Sequence, residues 1–149
     1  MVGKTREGFI QAGLDFYAKR LKPLMQLSLK SVRAEKEGGG LNPETLKSRE
    51  GERLLAQAPP KSCLVALDPG GKEFTTEEFA AWLGRREELA RPLVFLIGGH
   101  WGLADAVLAA TEERLALSRL TLTHELARLI LLEQLYRAMT IKLGHPYHV

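Results

Sequence analysis

The chain has 149 residues, the length of one domain, and its 45% hydrophobic and 26% charged residues exclude a disordered polypeptide. Its one cysteine, Cys63, excludes an internal disulfide and a multi-cysteine zinc site. No apolar run approaches the roughly 20 residues of a membrane span, and charged side chains near the start replace the apolar part of a signal peptide. We therefore expect a cytoplasmic protein with no membrane partner.

Charge is distributed unevenly along the chain. Residues 1–36 hold eight basic and three acidic side chains, a net charge of +5, whereas the remaining residues carry −2. A basic end on a nearly neutral body favours contact with a polyanion such as RNA. A solvated face of a globular protein explains the same pattern, and the charge alone does not separate the two interpretations.

In the first half of the chain, hydrophobic spacing predicts two helices and two strands. Apolar residues spaced by four, three and four predict an amphipathic helix over residues 7–21. Strict alternation predicts a half-buried strand over residues 25–30. After a glycine-rich loop, an asparagine cap starts a helix predicted over residues 42–57. Residues 63–67 are typical of a buried strand that enters a turn at Asp68.

The second half alternates between helix and strand in the same way. Thr75 and Glu78 form a capping-box pattern, and Gly144 is placed to end the last helix. The predicted elements are a helix over residues 75–89, a strand over 93–97, a helix over 103–114, a strand over 115–122 and a helix over 123–143.

This alternation predicts an α/β fold in a single domain over residues 1–149. Strands that are apolar without interruption are buried on both sides, so we expect a mostly parallel sheet with helices on both faces. Ligands of such sheets bind at the carboxyl ends of the strands. Those ends are predicted at residues 67–68, 98–99 and 120–122.

A glycine-rich segment, Gly98-Gly99-His100-Trp101-Gly102, follows the strand predicted over residues 93–97. Glycine lets a ligand approach the backbone closely, and the next helix offers free N–H groups. The spacing is not that of a dinucleotide fingerprint. We interpret the segment as a ligand loop in preference to a simple tight turn, with Trp101 either stacked on a base or covering the core.

The last predicted helix has apolar side chains around most of its surface. A domain of this size has little interior for it, so we expect part of it to contact a second subunit. Glu133 and Arg137 are spaced to pair along this helix. The tail contains His145, Tyr147 and His148, and because no cluster of Cys, Asp or Glu completes a metal site, we favour a tail that folds over an active site.

Four blocks of sequence together resemble the ribosomal large-subunit methyltransferase H family of the SPOUT class. They are Phe-Leu-Ile-Gly-Gly at 95–99, Leu-Ser-Arg-Leu-Thr-Leu-Thr-His at 117–124, Glu-Gln-Leu-Tyr-Arg-Ala at 133–138 and His-Pro-Tyr-His at 145–148. The resemblance covers the whole chain. It implies a SPOUT-type fold with a C-terminal trefoil knot and a homodimer.

The resemblance also implies an activity, which is S-adenosylmethionine-dependent methylation of N3 of a pseudouridine in 23S rRNA, within the assembled 70S ribosome. The cofactor-binding residues implied by the motifs are Leu67, Gly98, Leu117, Ser118, Arg119, Leu120, Thr121 and Leu122.

Methyl transfer to N3 also requires that the N3 proton leave. We expect His148, and after it His145, to be the general base, since imidazole titrates near neutrality. Tyr147 is the candidate that positions the target base, and Arg137 the candidate that holds a phosphate or the uracil carbonyl.

The chain departs from the family pattern in two places relevant to function. His100 and Trp101 stand in the glycine loop where the family commonly has Pro-Glu, and the tail lacks the arginine that commonly follows its last histidine. Two alternatives therefore stay open. One is a SPOUT methyltransferase acting on tRNA, and the other is a non-catalytic RNA-binding or ribosome-assembly protein.

Overall fold

The sheet at the centre of the fold has three parallel strands in the order β2-β1-β3. The computed structural model describes residues 1–36 and 42–145 of the chain. Within them, β1 is Cys63–Lys72, β2 is Leu93–Leu96 and β3 is Glu113–Leu115. The parallel sheet predicted from uninterrupted apolar strands is confirmed.

Helices in the described part of the chain cover both faces of this sheet. They are α1 (Gly8–Leu21), α2 (Pro43–Ala56), α3 (Thr76–Glu87), α4 (Asp105–Ala110) and α5 (His124–Lys142). Side chains alternate along β1, so that Val65 joins the core shared with α1, α3 and α5, whereas Ala66 joins the core shared with α2 and α4. The predicted α/β architecture is therefore confirmed.

The larger of the two cores fixes α3 and α5 against the sheet. Phe79 and Trp82 of α3 stack with their ring centroids 5.6 Å apart, and the Trp82 indole donates a hydrogen bond to the Glu113 carboxylate at 3.0 Å. Leu131 and Leu132 of α5 are buried in the same core. Burying one such leucine stabilises the fold by about 1.5–3 kcal/mol, so this core holds α5 in place.

Polar caps begin three helices where the sequence predicts them. The Asn42 side chain accepts a hydrogen bond from the backbone N–H three residues later at 2.8 Å. Thr75 and Glu78 form the reciprocal capping box, and Thr123 caps α5. Each cap satisfies an otherwise unpaired N–H and contributes about 1 kcal/mol. Gly144 has the positive φ of +67° expected of the residue that ends α5.

The strand predicted over residues 25–30 is wrong. This segment has no strand partner, and only Val32 forms an isolated parallel bridge, with Val2. Met25 and Leu27 are partly buried while Gln26 is exposed. Alternation therefore reported partial burial correctly for Met25 and Leu27 but not for Leu29, which is exposed. Partial burial of an extended segment does not require a hydrogen-bonded neighbour.

The strand predicted over residues 115–122 is also wrong in its bounds, and the helix before it is shorter than predicted. Helix α4 ends before Thr111, which has extended backbone angles, and β3 begins at Glu113 and ends at Leu115. Beyond it, the Ser118 hydroxyl accepts a hydrogen bond from the Leu120 N–H at 3.0 Å. This local bond takes a backbone donor that a longer strand would use in its ladder.

Candidate functional site

Three segments leave the sheet at the same edge. The register pairs Ala66 with Leu96 and Leu67 with Leu115, so the three strands end close together. The cofactor residues implied by the motifs therefore lie on neighbouring segments, as the strand-end rule predicts. These segments are residues 67–71, 98–102 and 116–122.

The first segment continues β1 through an irregularity. The register shifts between Leu67 and Lys72, which are both opposite Leu115. The strand predicted over residues 63–67 does not end in a turn at Asp68 but continues to Lys72. At the irregularity, the Asp68 carboxylate accepts a hydrogen bond from the Gly70 N–H at 2.8 Å. A register shift of this kind bends the strand locally, here at the carboxyl edge of the sheet.

The second segment is a tight glycine turn. The Gly102 N–H donates to the Gly99 carbonyl at 3.2 Å, and a Cβ on Gly98 would lie 2.5 Å from the Gly102 carbonyl group. Gly102 itself has φ +80°, which favours glycine. His100 and Trp101 are therefore at the tip of the turn, both exposed, with ring centroids 4.9 Å apart.

A buried carboxyl group, that of Glu50 in α2, lies against this turn. Its Oε1 accepts a hydrogen bond from the Glu35 N–H at 2.8 Å, and its Oε2 is 2.9 Å from the Cβ position of Gly99. Burial raises the pKa of Glu50. Sequence reasoning missed this residue, although its four-residue spacing from Leu46 and Leu54 placed it on the apolar face of the helix.

The N-terminal segment is held beside the glycine turn by two charged side chains of α5. Arg128 is fully buried and donates hydrogen bonds to the Val2 carbonyl and, at 3.0 Å, to the Thr5 hydroxyl. The Glu125 carboxylate accepts from the N–H groups of Arg6 and Glu7 at 3.0 and 3.2 Å. Neither α5 residue was predicted to contribute to the site.

His124, the first residue of α5, adds a partly buried imidazole to this region. Burial lowers its pKa, and the positive charges of Arg128, His100 and Arg6 lower it further, against the opposing effect of Glu125. A neutral imidazole has one nitrogen able to accept a proton. His124 belongs to the sequence block at 117–124 but was not predicted to be a site residue.

The third segment presents both backbone and apolar surface. Leu120 is 75% exposed, which is unusual for a large apolar side chain. Arg119 is held by Glu73, with its Nε 2.9 Å from the carboxylate, and Leu117 and Ser118 are partly buried. Thr121 is exposed and Leu122 is partly buried on the way to the Thr123 cap.

The structure describes two of the four catalytic candidates, Arg137 and His145. Arg137 donates two hydrogen bonds to Glu133, at 2.7 and 3.0 Å, so the predicted ion pair along α5 is confirmed. The His145 side chain is exposed, and its backbone N–H donates to the Thr140 carbonyl at 2.8 Å. Tyr147 and His148 lie outside the described residues.

Neither a metal site nor a membrane span is found in residues 1–36 and 42–145. No three His, Cys, Asp or Glu side chains among them are grouped to hold a metal ion. Their helices are too short or too polar to cross a membrane.

Comparisons with known proteins identify similar chains over almost the whole length. A family model described as "Predicted SPOUT methyltransferase" matches residues 1–148. A protein of Geobacter metallireducens is 45% identical over 148 residues, covering 99% of this chain and 94% of its own. Proteins of Anaeromyxobacter dehalogenans and Carboxydothermus hydrogenoformans are 46% and 41% identical, each covering 99% of this chain and 95% of its own. All three are named ribosomal RNA large subunit methyltransferase H.

Proposed function

The chain belongs to the SPOUT methyltransferase family, and from that premise we propose that it methylates N3 of a pseudouridine in 23S rRNA, with S-adenosylmethionine as the methyl donor. The ribosomal substrate implies that it works in the cytoplasm, on assembled 70S particles. The observation that carries the proposal is the convergence of three segments, with a glycine turn among them, at the carboxyl edge of the sheet. The C-terminal trefoil knot of the family is part of the same proposal.

The residues at this edge fit S-adenosylmethionine. Leu67, Leu117 and the exposed Leu120 offer apolar surface for an adenine ring, and the turn after Gly98 brings backbone N–H and C=O groups to the same place. When bound, the cofactor supplies a methyl group on a positively charged sulfur. The protein contributes position and orientation, which are the main assistance that an in-line displacement can receive.

The transfer forms a bond from N3 of the pseudouridine to the methyl carbon and breaks the bond from that carbon to sulfur. The N3 proton passes to a base on the protein, and S-adenosylhomocysteine leaves. We assign the base to His148 and, after it, to His145. Tyr147 orients the uracil ring, and Arg137, kept in place by Glu133, holds a phosphate or carbonyl oxygen of the substrate.

The proposal includes a homodimer formed through α1 and α5. Gly13 lets α5 come close, because a Cβ there would lie 2.7 Å from Leu129 Cδ1. Phe9 and Phe16, four residues before and three after Gly13, lie on the same side of α1 and are 70% and 47% exposed. Together with the partly buried Ile130 of α5, they provide exposed apolar surface of the kind that subunit contacts bury.

The activity is tested with ribosomes from a strain that lacks this protein. The large-subunit RNA is digested and analysed by mass spectrometry for N3-methylpseudouridine before and after the purified protein and S-adenosylmethionine are added. We expect the modified nucleoside to be absent before and present after the addition. Methylation found only in tRNA would favour the tRNA enzyme, and a folded protein that binds the cofactor but modifies no RNA would favour the non-catalytic alternative.

A further inference from the structure

Trp101 is a large aromatic side chain left about half exposed in the part of the chain that the structure describes. The protein has two tryptophans, and Trp82 is 4% exposed in the core while Trp101 is 45% exposed. Leaving so large an apolar ring in water forfeits stabilisation that burial would give. Its place is the tip of the turn that begins at Gly98, beside the proposed cofactor edge.

The backbone of the turn that carries this ring is constrained. An isolated bridge joins Gly99 to Gly102, the backbone of Gly98 packs against that of Gly102, and the buried Glu50 side chain lies against Gly99. A side chain on a fixed turn loses little freedom when it meets a partner. The His100 ring lies nearly perpendicular to the Trp101 ring, in a T-shaped contact. Two aromatic groups therefore lie together at the tip of the turn.

The N-terminal segment beside the turn carries exposed cations. Its Val2 side chain lies 3.1 Å from the Cβ position of Gly99, and the Arg6 side chain is exposed. Exposed Lys4 is on the same N-terminal segment, which hydrogen bonds from Glu125 and Arg128 of α5 hold in place. An aromatic platform bordered by cations fits a ligand that has both flat rings and negative charge. An unpaired nucleotide of RNA has both.

We propose that Trp101, with His100 beside it, stacks on an unpaired rRNA nucleotide next to the methylated pseudouridine and so positions the substrate. This inference rests on the proposed function and adds a specificity-determining residue to it. Base stacking on an aromatic side chain tolerates any base, so the pair would hold the RNA strand while the remaining site selects the nucleoside.

The test compares Trp101→Ala and Trp101→Phe with a matched control, Leu89→Ala. Leu89 is 49% exposed but lies between α3 and the amino end of β2, away from the carboxyl edge. Four quantities are measured for each protein: S-adenosylmethionine affinity by calorimetry, the Kd for 70S ribosomes by co-sedimentation, and the KM and kcat of methylation. We expect Trp101→Ala to raise the ribosome Kd and KM about tenfold, the usual effect of one lost stack. Trp101→Phe should recover most of this loss, and cofactor affinity should not change.

Other outcomes overturn the inference. Unchanged ribosome affinity in Trp101→Ala would remove the residue from the RNA contact. Lost cofactor binding would assign it to the cofactor site, and a change from dimer to monomer in sedimentation would assign it to the subunit contact. A second measurement separates this inference from the proposed activity. A short single-stranded oligouridylate should quench the fluorescence of the wild-type protein but not that of Trp101→Phe, even if ribosomes are not methylated, and equal quenching of both would contradict stacking.

Discussion

The Cβ position of Gly98 lies 2.5 Å from the carbonyl carbon and oxygen of Gly102, so the glycine turn closes only because residue 98 has no side chain. We expect Gly98→Ala to open the turn and to weaken S-adenosylmethionine binding by more than about tenfold, equivalent to about 1.4 kcal/mol. Calorimetry measures the affinity. Gly84→Ala is the control, since a Cβ there meets open space within α3, and it should leave affinity unchanged.

The exposed aromatic residues of α1 indicate which substitution should separate the subunits of the proposed dimer. Phe9 is 70% exposed, and in Phe9→Asp a charge would have to be buried in the subunit contact. Sedimentation should show twice 16.6 kDa for the wild-type protein and 16.6 kDa for the variant. Leu89→Asp, at a comparably exposed site away from α1, should remain dimeric. A wild-type protein that is monomeric and still methylates ribosomes would contradict this prediction.

The hydrogen bonds of Arg128 join α5 to the N-terminal segment, and we expect their loss to destabilise the protein. Arg128→Met removes the donors to the Val2 carbonyl and the Thr5 hydroxyl, and we expect it to lower the free energy of unfolding by about 1–3 kcal/mol. Hydrogen exchange should accelerate most at the N–H groups of residues 2–7. Arg119→Met is the matched control, because the Arg119 side chain is 90% exposed, and it should change stability little. Equal effects of the two substitutions would show that the buried contacts do not hold the segment.

We expect the free energy of unfolding to decrease in mild acid because of His124. Its pKa in the folded protein is lower than in the unfolded chain, chiefly because of burial, so the unfolded chain binds the proton more readily. Its contribution to stability is complete above the unfolded pKa of 6.5 and is lost as the pH falls through the folded pKa. Denaturant midpoints of the wild-type protein should decrease over this range more steeply than those of His124→Gln. Parallel pH profiles would exclude His124 as the source.

Much of the architecture was predictable because its signals are local. Caps such as Asn42 and Thr123 are identified by residue type at a helix start, and apolar runs such as residues 93–97 identify strands. The order of these elements then predicted, without any tertiary information, a ligand site at the carboxyl ends of the strands. The strand over residues 25–30 failed because pairing depends on which segment lies beside it, and alternation carries no such information.

The supports of the site were not predictable, since they join residues far apart in the chain. Glu50 lies beneath Gly99, and Arg128 contacts Val2 and Thr5. A glutamate on an apolar helix face and an arginine in a mostly apolar helix are the only local signs of these contacts. Neither sign identifies the partner, which depends on how the sheet brings the segments together.

Methyl transfer to intact ribosomes tests the central claim most directly. Purified protein and methyl-labelled S-adenosylmethionine are incubated with 70S ribosomes from the deletion strain, with free 23S rRNA and with a protein-free hairpin. We expect label in the 23S rRNA of 70S particles, recovered as N3-methylpseudouridine, at a rate far above that on either naked RNA, and a large loss of label with Gly98→Ala. Equal rates on the hairpin and on ribosomes, or label in tRNA alone, would contradict the account.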